Sequence, residues 1–314
     1  MNRKQYLGFT IALAVLGVLM IAAFYIWNDF MVANNISLLY PVLIVMIGYM
    51  FLKYKTTSPM QYLTTKFSML VDYDLDIEGA VQLCEKNYNN APTSSLKAVY
   101  QVYYGMGLYY AGRYKDAVRI LNTVELRRLN VVYHALIWAF VCYASFEDGD
   151  LETFNQTLER IKNVQGSIPA RYQSFIGGYV EILEAIKNLD VNPDQYREMV
   201  EKHFAREDGY ISTKLVYNYR MGLYHERMGD ALEADKCFAF VIANGKAHHT
   251  ALRSKEHFHG LVNVEDFVWS PEKAAQEVVE TQTPETVTPE IAETSAPAEE
   301  TPSAPESPEE PKNE

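Results

Sequence analysis

The first fifty or so residues constrain this chain most. No charged side chain occurs from Gln5 to Asn28, and a second uncharged stretch runs from Phe30 to Leu52. Tyr6 to Trp27 is 22 residues; at about 1.5 Å per residue such a helix crosses the roughly 30 Å hydrocarbon core of a bilayer. The apolar part of the second stretch begins at Ile36, with Pro41 near its start, where a missing amide donor is tolerated. Only Asn28 to Asn35 lie between the two. They are expected to form an antiparallel transmembrane hairpin within residues 1–57, with spans at about 6–27 and 36–52. Tyr25, Trp27, Tyr40 and Tyr54 lie near the ends, as interfacial aromatics do. A cleaved signal peptide fits less well, because the apolar run is long and no convincing Ala-x-Ala site follows it. Two such runs in tandem also argue against buried core helices. Gly8, Gly17 and Gly48 permit close contacts but form no GxxxG motif.

Basic residues give the orientation. Arg3 and Lys4 precede the first span, Lys53, Lys55 and Lys66 follow the second, and the connecting loop has neither Lys nor Arg. Basic flanks stay inside, so a two-span protein of the cell membrane with both termini cytoplasmic is expected. Cys84, Cys142 and Cys237 are odd in number and far apart, which excludes a disulfide framework and a CxxC metal site.

The net charge of −12 is unevenly spread. Residues 270–314 hold twelve Glu, Lys273 and Lys312, for a net −10, leaving −2 for everything before them. The same stretch holds eight of the thirteen prolines and neither glycine nor aromatic residue. Such a composition cannot bury enough apolar surface to offset the entropy of ordering, so residues 263–314 are expected to form a disordered, solvated tail. The near-neutral remainder has no basic face, and a nucleic-acid partner is not expected.

From about Met60 to Phe258 the apolar spacing is helical, and one pattern recurs. Gly105, Gly112, Ala117 and Leu121 are spaced seven, five and four apart, and so are Gly222, Gly229, Ala234 and Phe238. The first glycine opens a gap in a helix, the second ends that helix in a left-handed cap, and the alanine keeps the next helix close. Weaker copies run from Cys142 through Gly149, Phe154 and Leu158, and through Ile77, Ala80 and Cys84. Phe154 stands where a small residue is expected, which predicts a splayed pair. One further pair is expected at Ala170–Leu189 and Pro193–Ala205.

Over residues 60–258 this pattern resembles the tetratricopeptide repeat (TPR) family, carried by Gly105, Gly112, Tyr114, Ala117, Gly222, Gly229 and Ala234. The spacing of 37 to 40 is longer than the family's usual repeat. The resemblance implies an all-α chain. The hairpin would lead into an α-solenoid of about five TPR-like helix pairs over residues 58–262, whose concave face holds a partner peptide or amphipathic helix. The stripe facing that groove would comprise Val102, Met106, Tyr109, Ala139, Tyr143, Phe146, Tyr219 and Leu223, with Val99, Leu136, Val216 and Glu226 alongside. It is apolar and aromatic. The Lys, Arg and Asn with which some family members hold acidic chaperone tails are absent from it. Another helix covering the stripe is the alternative.

No phosphate loop, dinucleotide fingerprint, nucleophile elbow or HExxH pattern is present. His248, His249, His257 and His259 cluster late in the chain, but at helical spacing they do not converge on one ion. Asp150 and Asp230 are placed to cap helices, and Gly177–Gly178 suggests close packing or a kink. Neither catalytic residue, cofactor nor metal is expected. The expected function is a membrane-tethered cytoplasmic scaffold with a protein partner and the bilayer as contacts. The alternative is an accessory subunit assembled through its hairpin.

Overall fold

The computed structural model describes residues 3–33, 39–166, 168–205 and 210–269. Among them the chain is helical, with no strand. Twelve α-helices follow one another: α1 (Arg3–Ala33), α2 (Leu39–Ser68), α3 (Ile77–Asn89), α4 (Ser94–Tyr110), α5 (Tyr114–Asn122), α6 (Val131–Glu147), α7 (Leu151–Gln165), α8 (Ala170–Lys187), α9 (Pro193–Phe204), α10 (Ile211–Arg227), α11 (Ala231–Asn244) and α12 (His249–His257). A π-helical turn, Met69–Tyr73, links α2 to α3. Residues 270–314 group apart from Met1–Trp269 and lie outside the described residues.

The helix starts are written in the sequence. Asp76, Thr93, Asn130, Asp150, Asn192 and Asp230 each cap a helix by accepting a hydrogen bond from a first-turn amide. Pro193 sits at the first position of α9, where its missing N–H costs nothing. The helix ends repeat one geometry three times. Gly112, Gly149 and Gly229 have φ of +72°, +81° and +78°. Each glycine N–H donates to the carbonyl three residues back, and the following N–H donates to the carbonyl five back. These paired bonds satisfy the carbonyls a helix end leaves open, and they need a residue without a Cβ penalty. An added Cβ at Gly229 would meet nothing within 4 Å, so Gly229→Ala isolates the backbone cost. We expect a loss of about 1 kcal/mol, read as a lower urea midpoint at unchanged slope.

Each helix from α2 to α11 packs on its successor, and α4 also meets α2 and α6. The helix-pair spacing has a steric basis. A Cβ at Gly105 would stand 2.5 Å from Leu121 Cδ2, and one at Gly222 would stand 2.5 Å from Phe238 Cε1. The gap in α4 thus receives the large residue of α5, and the gap in α10 that of α11. Ala117 and Ala234 are fully buried beside them. Phe154 does not splay α6 from α7. It is fully buried, 5.6 Å from the Phe146 ring, with its carbonyl 3.7 Å from Cys142 Sγ. The Gly177–Gly178 pair lets α9 approach α8, since a Cβ at Gly178 would lie 3.1 Å from the His203 ring.

Three boundaries and one long-range contact differ from expectation. Helix α2 runs without a break through residues 57–58, carrying Pro59 inside it. Helix α12 falls within the stretch expected to be helical up to Phe258 but outside the named pairs. Residues 263–269 are pinned rather than part of a free tail. Asn244 donates to Phe267 O at 2.9 Å and accepts from Trp269 N at 2.8 Å. Buried Asp235 holds the turn after α12 by accepting from His259 N and Leu261 N at 2.9 and 2.7 Å. Finally, the early and late helices touch. The π-turn packs on α10 and α12 on α4, Ser212 donates to Asp72 at 2.9 Å, and Lys246 donates to Asp74 O at 2.6 Å.

Taken over the described residues, no helix is long and apolar enough to cross a membrane. Helix α1 is 31 residues and packs on α2. Its Leu7, Ile11, Val15, Val18, Leu19, Ile21, Ile26 and Trp27 are each more than half exposed. Helix α1 continues to Ala33, so residues 28–33 of the expected connection 28–35 are helical; its remainder, 34–35, and the start of the second span at 36–38 fall outside the described residues.

Candidate functional site

The face expected to form an apolar groove is interior. Val102 and Ala139 have no exposure, and Tyr219, Tyr109 and Tyr143 retain 2%, 5% and 9%. Met106, Phe146 and Leu223 are half-buried. The eight residues do not form one stripe. Val102, Tyr109, Ala139 and Tyr143 share the main core, whereas Tyr219 belongs to a separate cluster with Ala234 and Phe238. Leu223 packs on that second cluster, and Phe146 turns toward Phe154. No open apolar stripe therefore runs along these side chains. The reason is α12, whose His248 and His249 enter the tyrosine face.

What fills this region is an aromatic and polar seam. Tyr109 lies 5.4 Å from Phe140, 6.1 Å from Tyr143 and 4.4 Å from His249, ring centre to ring centre. His248 is 5.4 Å from Tyr110, and the two imidazoles are 4.8 Å apart. The Tyr114 hydroxyl is 3.3 Å from His249 Nδ1. On the far side, the Arg220 guanidinium sits over Tyr143 at 5.8 Å. Tyr196 donates to the Arg220 carbonyl at 3.2 Å. Glu147 accepts from Tyr219 at 3.2 Å and lies 3.4 Å from Arg253 Nε.

Burial sets the protonation states. It pushes the Tyr109 and Tyr219 phenols well above their usual range, with the Glu147 charge adding to the effect. Burial opposes charge on Arg220, but Tyr196, Tyr109 and Glu147 outweigh it and hold the guanidinium protonated. His248 is driven down to about 3 by burial alone. His249 is also driven well below the histidine range, by burial first and then by the charges of His248, Arg220 and Arg253. Both imidazoles are therefore neutral when folded and bind a proton near 6.5 when unfolded. The unfolded chain holds more protons between pH 6.5 and about 3, so stability falls as pH drops through that window. Each such histidine contributes up to about 1.4 kcal/mol per pH unit. We expect the urea midpoint to fall on acidification from pH 7 to 5, and His248→Gln to flatten that slope.

The expected site residues are thus core residues, and the residues carrying unusual chemistry are Glu147, Arg220, His248 and His249. Nothing in the spacing marked Arg220, which follows Tyr219 on α10 and looks like a solvent-facing charge until α9 and α12 cover it. Repeat-packing Gly105, Gly112, Ala117, Gly222, Gly229 and Ala234 serve the helix junctions. His257 and His259 are set apart from the seam, against Glu226 at 2.9 Å and Asp235 at 3.4 Å. Among the described residues no group of three His, Cys, Asp or Glu could hold a metal ion. The three cysteine thiols are pushed up by burial, Cys84 and Cys142 to about 12 and Cys237 to about 11, which disfavours the nucleophilic thiolate. Set against known proteins, the chain matches no family model, no curated protein and no solved structure.

Proposed function

We propose that the chain is a membrane-tethered scaffold. Residues 6–52 lie in the bilayer as a hairpin, and α3 to α12 form a TPR-like interaction domain on the cytoplasmic side. One observation carries the tether. The charge-free run of α1 exposes successive apolar residues, Val18 with Leu19 and Ile26 with Trp27, so that more than one of its faces is apolar and uncovered. Water penalises such a surface, and lipid does not. The shared turn at Gly112, Gly149 and Gly229 and the glycine gaps facing Leu121 and Phe238 support the TPR-like domain. Tethering raises the effective concentration of a bound partner at the membrane without new chemistry.

The burial of Tyr109, Tyr143 and Tyr219 favours a second reading. A partner helix in that face would first have to displace α12. An accessory subunit held to its complex by α1 and α2 needs no such step. Exchanging residues 1–57 for an unrelated two-span anchor separates the two. A scaffold keeps its crosslinked partners after the exchange; a subunit assembled through its hairpin loses them.

A further inference from the structure

We propose that the pocket between the start of α1 and the turn joining α3 to α4 holds the phosphate of one anionic phospholipid headgroup. The proposal rests on the membrane-tethered reading above and adds which lipid the tether selects.

The first observation is the pocket itself. Its volume is about 840 Å³. Lys4 of α1 lines it together with Tyr88 of α3 and with Pro92, Thr93, Ser94 and Lys97 around the start of α4. Small-molecule sites occupy about 300–1,000 Å³, so this one has room for a whole headgroup rather than a single ion.

The second is its charge. Lys4 and Lys97 are exposed, and no carboxylate lines the pocket. Neither ammonium forms an ion pair among the described residues. Lys97 Nζ lies 4.9 Å from the centre of the Tyr88 ring, an aromatic face that attracts the cation without neutralising it. Thr93 caps α4 by accepting from Leu96 N at 3.2 Å, and the preceding amides of Ser94 and Ser95 have no acceptor within the helix. Two ammonium groups on one space repel each other. An oxyanion between them relieves that repulsion, and a phosphate accepts charge-assisted hydrogen bonds from both.

The third is depth. Only Gln5 separates Lys4 from the apolar run that begins at Tyr6. From Lys4 to Tyr6 the rise along a helix is about 3 Å. In a hairpin that enters the bilayer at residue 6, Lys4 therefore stands at headgroup level. A phosphate reaching the pocket there comes from the membrane, as it does in basic pockets that recognise lipid headgroups. Choline or ethanolamine would bring a third positive charge beside the two lysines; a glycerol headgroup brings none. Because Lys4 belongs to the hairpin and Lys97 to the helical domain, one bound lipid holds the two together.

The test uses the full chain in uncharged detergent micelles, unfolded thermally while phosphatidylglycerol or phosphatidylcholine is added. A ligand that binds the folded state alone raises Tm with its concentration. We expect phosphatidylglycerol to give a saturable rise of about 4–8 °C and phosphatidylcholine to give much less. Lys97→Gln, an exposed substitution, should reduce the phosphatidylglycerol response to the phosphatidylcholine level, and Lys4→Gln should do the same. Lys55→Gln, on the juxtamembrane flank but outside the pocket, should keep it. Equal responses to the two lipids, an undiminished response in Lys97→Gln, or an equal loss in Lys55→Gln overturns the site, the last by showing diffuse attraction. Soluble glycerophosphate separates the two sources of phosphate: a rise as large as that with phosphatidylglycerol overturns the assignment to a lipid. The hairpin is judged separately, since a chain that stays dissolved once detergent is removed contradicts the tether whatever the lipids do.

Discussion

Phe154→Ala is expected to lower the stability of the helical domain by about 3–5 kcal/mol, seen as a large drop in urea midpoint with little change in slope. The side chain is fully buried where α7 meets α6, against Phe146 and the wall that carries Cys142. Its truncation removes an aromatic ring from a site that cannot collapse, because both neighbouring helices are fixed by the Gly149 turn and the Asp150 cap. The cost therefore contains the transfer of the ring and the cavity it leaves. If Phe154→Ala costs under about 1 kcal/mol, α7 is not seated on α6 as described. A conservative Phe154→Leu should recover most of the loss, since a large aliphatic side chain refills the space.

Glu147→Ala is expected to cost a comparable 3–5 kcal/mol for an electrostatic reason. Glu147 is buried, accepts from Tyr219 and faces Arg253. Removing it leaves the Tyr219 hydroxyl without its acceptor and takes away the buried negative charge that acts on Arg220, while Arg253 keeps Glu256. A buried donor without a partner is costly by itself, and a buried unpaired charge more so. Adding Arg220→Met to Glu147→Ala removes the buried charge left behind, since Arg253 remains paired with Glu256. The double variant should then be more stable than the sum of the single losses, read as a coupling of about 1 kcal/mol or more in a double-mutant cycle. Strict additivity would show that the two residues do not share one electrostatic environment.

Much of the helical architecture was legible in the sequence because it rests on local rules. A glycine that must adopt positive φ, an Asp immediately before a helix and an alanine at a helix crossing each act within a few residues. The pattern at Gly105, Gly112, Ala117 and Leu121 therefore predicted α4 and α5, and its copy predicted α10 and α11. The pair at 170–205 followed from the arithmetic of spacing and emerged as α8 and α9. What the sequence hid depends on contacts across long separations. Whether Tyr109 faces a groove or a neighbour is decided by α12, about 140 residues later. That helix buries His248, His249, Thr250 and Ser254 with Ala251, a face too polar to register as a core-seeking pattern. Arg220 was equally silent: a charged residue on a helix is normally solvated, and only the enclosure by α9, α12 and the tyrosines of α4 and α6 changes its meaning.

The membrane tether is the central claim, and cysteine accessibility tests it most directly. In a Cys237→Ser background, Asn34→Cys places a thiol in the proposed loop between the two proposed spans, and Ser295→Cys places one in the acidic tail; the native Cys84 and Cys142 are buried. Intact cells expressing each variant are treated with a membrane-impermeant maleimide, then the treatment is repeated after permeabilisation. The account predicts that Asn34→Cys is labelled in intact cells and that Ser295→Cys is labelled only once the membrane is opened, with both variants remaining in the membrane fraction after alkaline extraction. Labelling of Ser295→Cys in intact cells, protection of Asn34→Cys, or release of the protein by alkali contradicts it.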